Sequence, residues 1–261
     1  MIPELLNKYE KVINFRRNNN VEIINKNNIV TEELSKDFIN DFHSDLLINL
    51  ATHYDPIPKN KSDENKIEDA NVNFPIKILK IIGNNIKVLN TSSYIQLLDE
   101  QHQIHYSRTK NIFLNYLINS KIDYLNLYMF DTFGTNDYRN KVVDRFIKDI
   151  LLSKDLNIPS NPVFINLTHI NSIVETIFYY SENFMTGNYF LKSSDTILIE
   201  DLALKLMNII GKKVNINKMG KQINYIDMIN NNFENILISN DTILEEKLEM
   251  RINEIRKTIT L

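Results

Sequence analysis

The chain of 261 residues contains no cysteine. That excludes disulfides, thiolate metal sites and cysteine nucleophiles. Glycine is scarce: there are five in 261 residues, against an average usage of roughly 7%. Gly83, Gly134, Gly187, Gly211 and Gly220 stand too far apart to make a G-x-x-G or G-x-G-x-x-G loop, so the chain has no glycine-rich phosphate cradle of its own. Long apolar runs are missing as well. None approaches the roughly 18 residues of a membrane span, and the opening M-I-P-E-L-L-N-K does not read as a signal peptide. Net charge is -3 with a pI near 6.0, and the basic residues are scattered. A nucleic-acid or polybasic membrane role therefore has no support, and a cytoplasmic protein is expected.

What is present is ordinary for a globular protein: 43% hydrophobic and 24% charged residues, in a length that suits one large domain or a domain with a smaller lobe. The elements alternate. Pro3 to Tyr9 reads as the end of a helix, Lys11 to Phe15 and Val21 to Ile24 as strands, and Thr31 to Asn40 as a helix opening on T-E-E-L. Asp45 to Ala51 is a nearly continuous apolar run, as for a parallel strand covered on both faces. Tyr54 to Glu64 reads as a loop and Lys66 to Ile82 as a helix with Pro75 inside its pattern. Ile86 begins a strand ending T-S-S, the Tyr106 helix follows, and Ile122 to Phe130 is another strand. Beyond it come a polar loop from Asp131 to Asn140, helices over Val142–Ser153, Asn171–Tyr180 and Leu198–Ile210, and strands at Val163–Ile165, Gly187–Leu191 and Val214–Ile216. Leu244 to Ile259 is a charged helix that reads as a solvated cover. Strands alternating with helices predict a doubly wound parallel sheet.

The chemistry concentrates between Ile86 and Leu117. A buried strand ends in Thr91, Ser92 and Ser93, and Tyr106 and Lys110 follow four residues apart, on one helix face. A cation beside a phenol lowers its pKa, the phenol passes a proton, and a strand-tip hydroxyl polarises a carbonyl. One Y-x-x-x-K is expected by chance in a chain this rich in Tyr and Lys. The spacing alone also suits an amphipathic helix with an exposed Lys and a half-buried Tyr. The strand placed ahead of it adds weight to the chemical reading. His102 and His105 form a lone H-x-x-H, which without further ligands reads as a loop or helix start and not as a metal site.

Taken in order, L-I-N-L-A-T-H-Y (47–54), I-E-D-A-N-V-N-F-P-I-K-I-L (67–79), L-N-T-S-S-Y (89–94), Y-S-R-T-K (106–110), L-Y-M-F-D-T-F-G-T-N-D-Y-R-N-K (127–141) and F-I-N-L-T-H-I-N-S-I-V (164–174) resemble the extended short-chain dehydrogenase/reductase family. This is the NAD-dependent epimerase/dehydratase group, and the likeness is nearest to its CDP-dideoxysugar 4-reductases. The resemblance implies an α/β, Rossmann-like doubly wound parallel sheet with a smaller C-terminal α/β lobe. Residues 1–130 would bind the dinucleotide, with 163–180 returning to that region, while 131–162 and 181–261 would bind the nucleotide-sugar. It assigns Tyr106 as general acid, Lys110 as its partner and ribose anchor, and Ser93 as the polarising hydroxyl, with Thr91 second. Leu50, Ala51, Thr52, Asn71 and Asn90 would line the cofactor. Arg16 and Arg17 would meet a 2'-phosphate, favouring NADP over NAD. Asp131, Asn136 and Thr91 would contribute to the substrate pocket.

The resemblance also implies a C4 keto reduction serving O-antigen or lipopolysaccharide sugar biosynthesis, and a possible homodimer. A 4-epimerase of the same family is the alternative. A dehydratase fits less well, because T-S-S-Y offers no acid beside the hydroxyl. The family's first strand and glycine-rich loop have no counterpart here. Asn171 and Ser172 stand where the family usually has paired acids, and Asp131 where many relatives have Asn. A non-catalytic relative that has lost cofactor binding is the third expectation.

Overall fold

The computed structural model describes residues 9, 12–15, 28–31, 45–135, 139–194, 196–236 and 244–259. The expected Val21–Ile24 strand lies outside them, as do the Pro3–Tyr9 helix apart from Tyr9 and the Thr31–Asn40 helix apart from Thr31. Thr31 itself closes a strand instead of opening a helix. Strands β1 (Val12–Phe15) and β2 (Asn28–Thr31) pair in parallel. Strands β3 (Leu46–Asn49), β4 (Lys87–Ser93), β5 (Tyr124–Met129) and β10 (Gly187–Leu191) form a second sheet in the order β10-β5-β4-β3, with β3 and β4 parallel. The fold is Rossmann-like.

Strand β3 was expected to be covered on both faces. Leu46, Leu47 and Ile48 are instead half-buried, and among the described residues β4 is the only strand paired with β3. The following helix starts earlier than the apolar pattern suggests. Asn60 caps it, accepting the Asp63 N–H at 3.0 Å, so α1 runs Lys61–Glu68 through what read as loop. A π turn, Asp69–Asn73, joins α1 to α2 (Phe74–Ile82), and the Phe74 N–H reaches back to Asp69 O. Pro75 explains the turn. It brings no N–H, and its ring would crowd a regular α-helical carbonyl, so the backbone widens just ahead of it.

By contact density the chain divides into two compact units. The first takes the described residues of Met1–Thr91, Ile104–Asn126 and Ile177–Gly187, and the second those of Ser92–Gln103, Leu127–Thr176 and Asn188–Leu261. The first unit's core packs Val88 of β4 and Leu79 of α2 against Phe113 and Leu117 of α3 (His105–Asn119), with Leu47 and Tyr124 at its margin.

In the second unit the expected Asp131–Asn140 loop opens with a strand, β6 (Asp131–Phe133), parallel to β9 (Leu167–His169). The polar letters hid it, since burial of Phe133, Leu167 and His169 decides the conformation. Short strands β7 (Leu156–Ile158), β8 (Phe164–Ile165), β11 (Ile197–Leu198) and β12 (Ile216–Lys218) pair as β7 with β12 and β8 with β11. Helices α4 (Val142–Leu151), α6 (Ile199–Ile210) and α7 (Leu244–Ile259) enclose this unit's core, and α5 spans Ile170–Glu182.

Helix α7 is more than a solvated cover. Leu248, Ile252 and Ile255 enter the core, and Arg251 follows them inward onto Asp144 of α4. Its Nε and Nη2 donate to the two carboxylate oxygens at 2.9 and 2.6 Å, and Nη1 donates to Glu254 at 2.8 Å. Removing one partner of such a fork leaves a buried charge uncompensated. Asp144→Ala is therefore expected to lower unfolding stability by about 3 kcal/mol in urea titrations. The pair Asp144→Leu with Arg251→Met should recover most of that loss.

Candidate active site

The sheet face beneath α3 is layered. Side chains alternate along a strand, so Val88, Asn90 and Ser92 share one face of β4, and Val88 packs on α3. In register with β4, β3 contributes Leu47 beside Val88 and Asn49 beside Asn90. An apolar row is thus followed toward the strand tips by an amide row. Asn49 Nδ2 donates to Asn90 Oδ1 at 2.9 Å, and Asn90 Nδ2 to Asn126 Oδ1 at 2.7 Å. All three amides are buried.

Lys110 lies at the level of this row. It is 3% exposed, which rules out the solvated-lysine reading of its spacing from Tyr106. Its ammonium donates to Ala51 O at 3.2 Å and to Thr91 O at 3.1 Å. Burial pulls its pKa down from 10.5 to about 8, so the group is still a cation at neutral pH, held by carbonyl dipoles. Tyr106, in the first turn of α3, is buried, and Tyr54 meets its ring edge-on with centroids 4.9 Å apart. Leu50, Thr52 and Tyr54 are exposed and Ala51 half-buried in the segment that leaves β3.

Asn71 sits on the π turn with its amide committed to the protein. Its Oδ1 accepts the His53 N–H at 2.9 Å, and its Nδ2 donates to His53 O at 3.3 Å and to Thr109 Oγ1 at 3.1 Å. Thr109 Oγ1 in turn donates to Tyr106 O at 2.8 Å. One amide thereby ties the loop after β3 to the α3 turn between Tyr106 and Lys110.

The strand-tip hydroxyls have separate employments. Thr91 Oγ1 donates to Asn49 O at 3.0 Å. Ser93 lies on the face opposite Val88 and forms a capping box with Gln96: its backbone N–H donates to Gln96 Oε1 at 2.9 Å, and its hydroxyl accepts the Gln96 N–H. Ser92, which the sequence does not single out, shares the Val88 face of β4 by alternation and is buried.

Asp131 opens β6 in the second unit. Its carboxylate accepts the Asn166 N–H at 3.3 Å, and burial raises its pKa to about 6. Arg16, Arg17 and Asn136 lie outside the described residues. His102 pairs with Asp99, and His105 Nε2 lies 3.5 Å from Glu68 Oε1. Among the described residues no group of His, Asp and Glu is arranged to hold a metal. None of their helices is long and apolar enough to cross a membrane.

No family model matches the chain. Among curated proteins it is similar to the CDP-abequose synthase of Yersinia pseudotuberculosis, 27% identical over 192 residues, which cover 69% of this chain and 67% of that protein. Among solved structures it resembles a dTDP-glucose 4,6-dehydratase from Bacillus anthracis in complex with NAD, with TM-score 0.73 and 14% identity over 98% of this chain and 92% of the other. It also resembles a UDP-N-acetylglucosamine 4-epimerase from Methanobrevibacter ruminantium in complex with UDP-N-acetylmuramic acid, with TM-score 0.72 and 16% identity over 95% of this chain and 91% of the other.

These likenesses show the fold: a Rossmann-like one, shared with solved nucleotide-sugar dehydratase and epimerase structures. In an open α/β sheet of this kind the carboxyl ends of the strands are where a ligand would lie. The amide row, Ser92 and the Lys110 carbonyl partners all fall toward that end of β3 and β4.

A buried lysine with a lowered pKa has a signature in stability. Its charged form is disfavoured in the fold, so the cost is fully present below pH about 8. The unfolded lysine keeps its proton up to about 10.5, and the cost is relieved as pH climbs between those two values. Relative to Lys110→Met, the wild-type chain should gain about 2 kcal/mol between pH of about 7.5 and about 9.5, read by urea unfolding.

Proposed function

We propose that the chain is an NAD(P)-dependent nucleotide-sugar oxidoreductase that reduces the C4 keto group of a CDP-linked deoxysugar. The observation that carries this reading is the Lys110 ammonium, buried four residues after Tyr106 and held by two backbone carbonyls. An ammonium has three N–H donors, and these bonds occupy two. The third is available for a ribose hydroxyl. The exposed Leu50, Thr52 and Tyr54 beside it offer apolar and hydroxyl surface to a nicotinamide nucleotide. The residues present therefore fit that cofactor on its ribose side. When bound in its reduced form, it supplies the hydride.

The chain's own residues would do the rest. Ser92 donates a hydrogen bond to the keto oxygen and polarises the carbonyl. As the carbon gains hydride, Tyr106 passes its phenolic proton to that oxygen, leaving a C4 hydroxyl on the sugar and a phenolate on the protein. The Lys110 cation stabilises that phenolate until it is reprotonated from water. Residues 1–130 and 163–180 would hold the dinucleotide, and 131–162 and 181–261 the nucleotide-sugar, with Asp131 contributing to the sugar pocket. The likeness to CDP-abequose synthase supports a CDP-sugar in preference to other nucleotide-sugars.

Calorimetric titration of the purified chain with NADPH and NADP tests the cofactor half of the proposal. Micromolar binding is expected, and a folded protein that binds neither would make this a non-catalytic relative. With a CDP-4-keto-deoxysugar and NADPH, Tyr106→Phe should abolish turnover with an unchanged circular dichroism spectrum. Ser92→Ala should lower kcat by about 10²–10³, while Ser93→Ala loses a cap and little rate. Turnover retained in Tyr106→Phe would sink the mechanism.

A further inference from the structure

A buried amide row is an odd thing to build into a sheet face. Burying an amide costs free energy unless each donor and acceptor is matched, and the preceding row, Leu47 and Val88, shows that apolar residues serve the same core. The row is also directional. Each described amide passes its N–H toward β5, from Asn49 to Asn90 to Asn126, leaving Asn49 Oδ1 as the acceptor at the other end.

That oxygen accepts the Ala51 N–H at 3.3 Å, closing a short Asx turn just after β3. The backbone carbonyl of the same asparagine accepts the Thr91 hydroxyl at 3.0 Å. Ala51 and Thr91 are the two residues whose carbonyls receive the Lys110 ammonium. Asn49 thus touches both sides of the ammonium's cradle without touching the ammonium.

We propose that Asn49 is a positioning residue, pinning Ala51 and Thr91 so that their carbonyls fix the Lys110 ammonium in place on the Tyr106 face of α3. The chemical use of that cation rests on the function proposed above. Its placement does not.

The test is a pH titration of the full chain with lysines carbon-13 labelled at Cε, followed by NMR, with the Lys110 signal assigned by its loss in Lys110→Met. In the wild-type chain its midpoint is expected at about 8. Asn49→Ala should bind the Lys110 proton about tenfold more weakly, because misaligned carbonyls no longer offset the burial of the charge. Asn49→Ser should restore most of the midpoint, since a hydroxyl can accept the Ala51 N–H in the same turn. A purely structural role would lower the stability of both variants and leave the midpoint alone.

An unmoved midpoint in folded Asn49→Ala overturns the proposal, and a Ser variant as weak as the Ala variant overturns its Ala51 arm. Should Asn49→Ala fail to fold, Thr91→Val decides. It removes the hydroxyl bond to Asn49 O and leaves the amide row intact, and a lowered midpoint supports the proposal where an unchanged one defeats it. An NADPH titration on the same samples separates the two readings. A shifted midpoint without dinucleotide binding removes the proposed function and leaves the positioning role, and binding with an unmoved midpoint does the reverse.

Discussion

A lone cation in an apolar setting is the constraint that the first unit is built to meet. Lys110 has no carboxylate among its described partners, only two peptide carbonyls, and carbonyl dipoles hold a charge far less forgivingly than a counter-ion does. Their orientation has to be secured from behind. Asn49, Thr91 and the amide row secure the strand side, and Asn71 secures the helix side through His53 and Thr109. The π turn at Asp69–Asn73 belongs to the same arrangement, because it is what carries Asn71. Polar side chains that look like dispersed exceptions to a hydrophobic core therefore form one support.

The second unit obeys a different rule. It closes around apolar side chains from three helices, and Arg251, the one deeply placed cation among its described residues, is matched by a bidentate carboxylate. Where a charge serves packing, the fold supplies a full counter-ion. Where the proposed chemistry wants the cation to act on something else, the fold withholds one. The two lysine and arginine sites show that contrast within a single chain.

Much of this was legible in the letters. The alternation of strands and helices, the β4 tip, the α3 pair and the boundaries of Gly187–Leu191 and Leu244–Ile259 follow from periodicity alone. What escaped has a physical reason in each case. Which of the three hydroxyls at the β4 tip lies on the Val88 face is a property of the packed sheet, and the letters T-S-S do not show that it is Ser92. Asn49 lay inside an apolar run and looked like an interruption, because its partners are 41 residues away at Asn90 and across the strand at Thr91. Strand β6 was hidden in polar letters whose conformation is decided by β9, and the start of α1 by an Asn cap ahead of a polar first turn. Arg251 and Asp144 are 107 residues apart, a distance no local pattern spans.

That last separation has a kinetic side. The core of the second unit is completed by side chains from α7, whereas α4 contributes its share about a hundred residues earlier. Closing so long a loop carries its entropic penalty before the contacts can return anything. Until α7 arrives, Asp144 and the apolar faces of α4 and α6 stand open to water or to another chain. A partly folded molecule thus exposes those faces for as long as α7 is undocked, and conditions that slow that docking would favour aggregates over native protein.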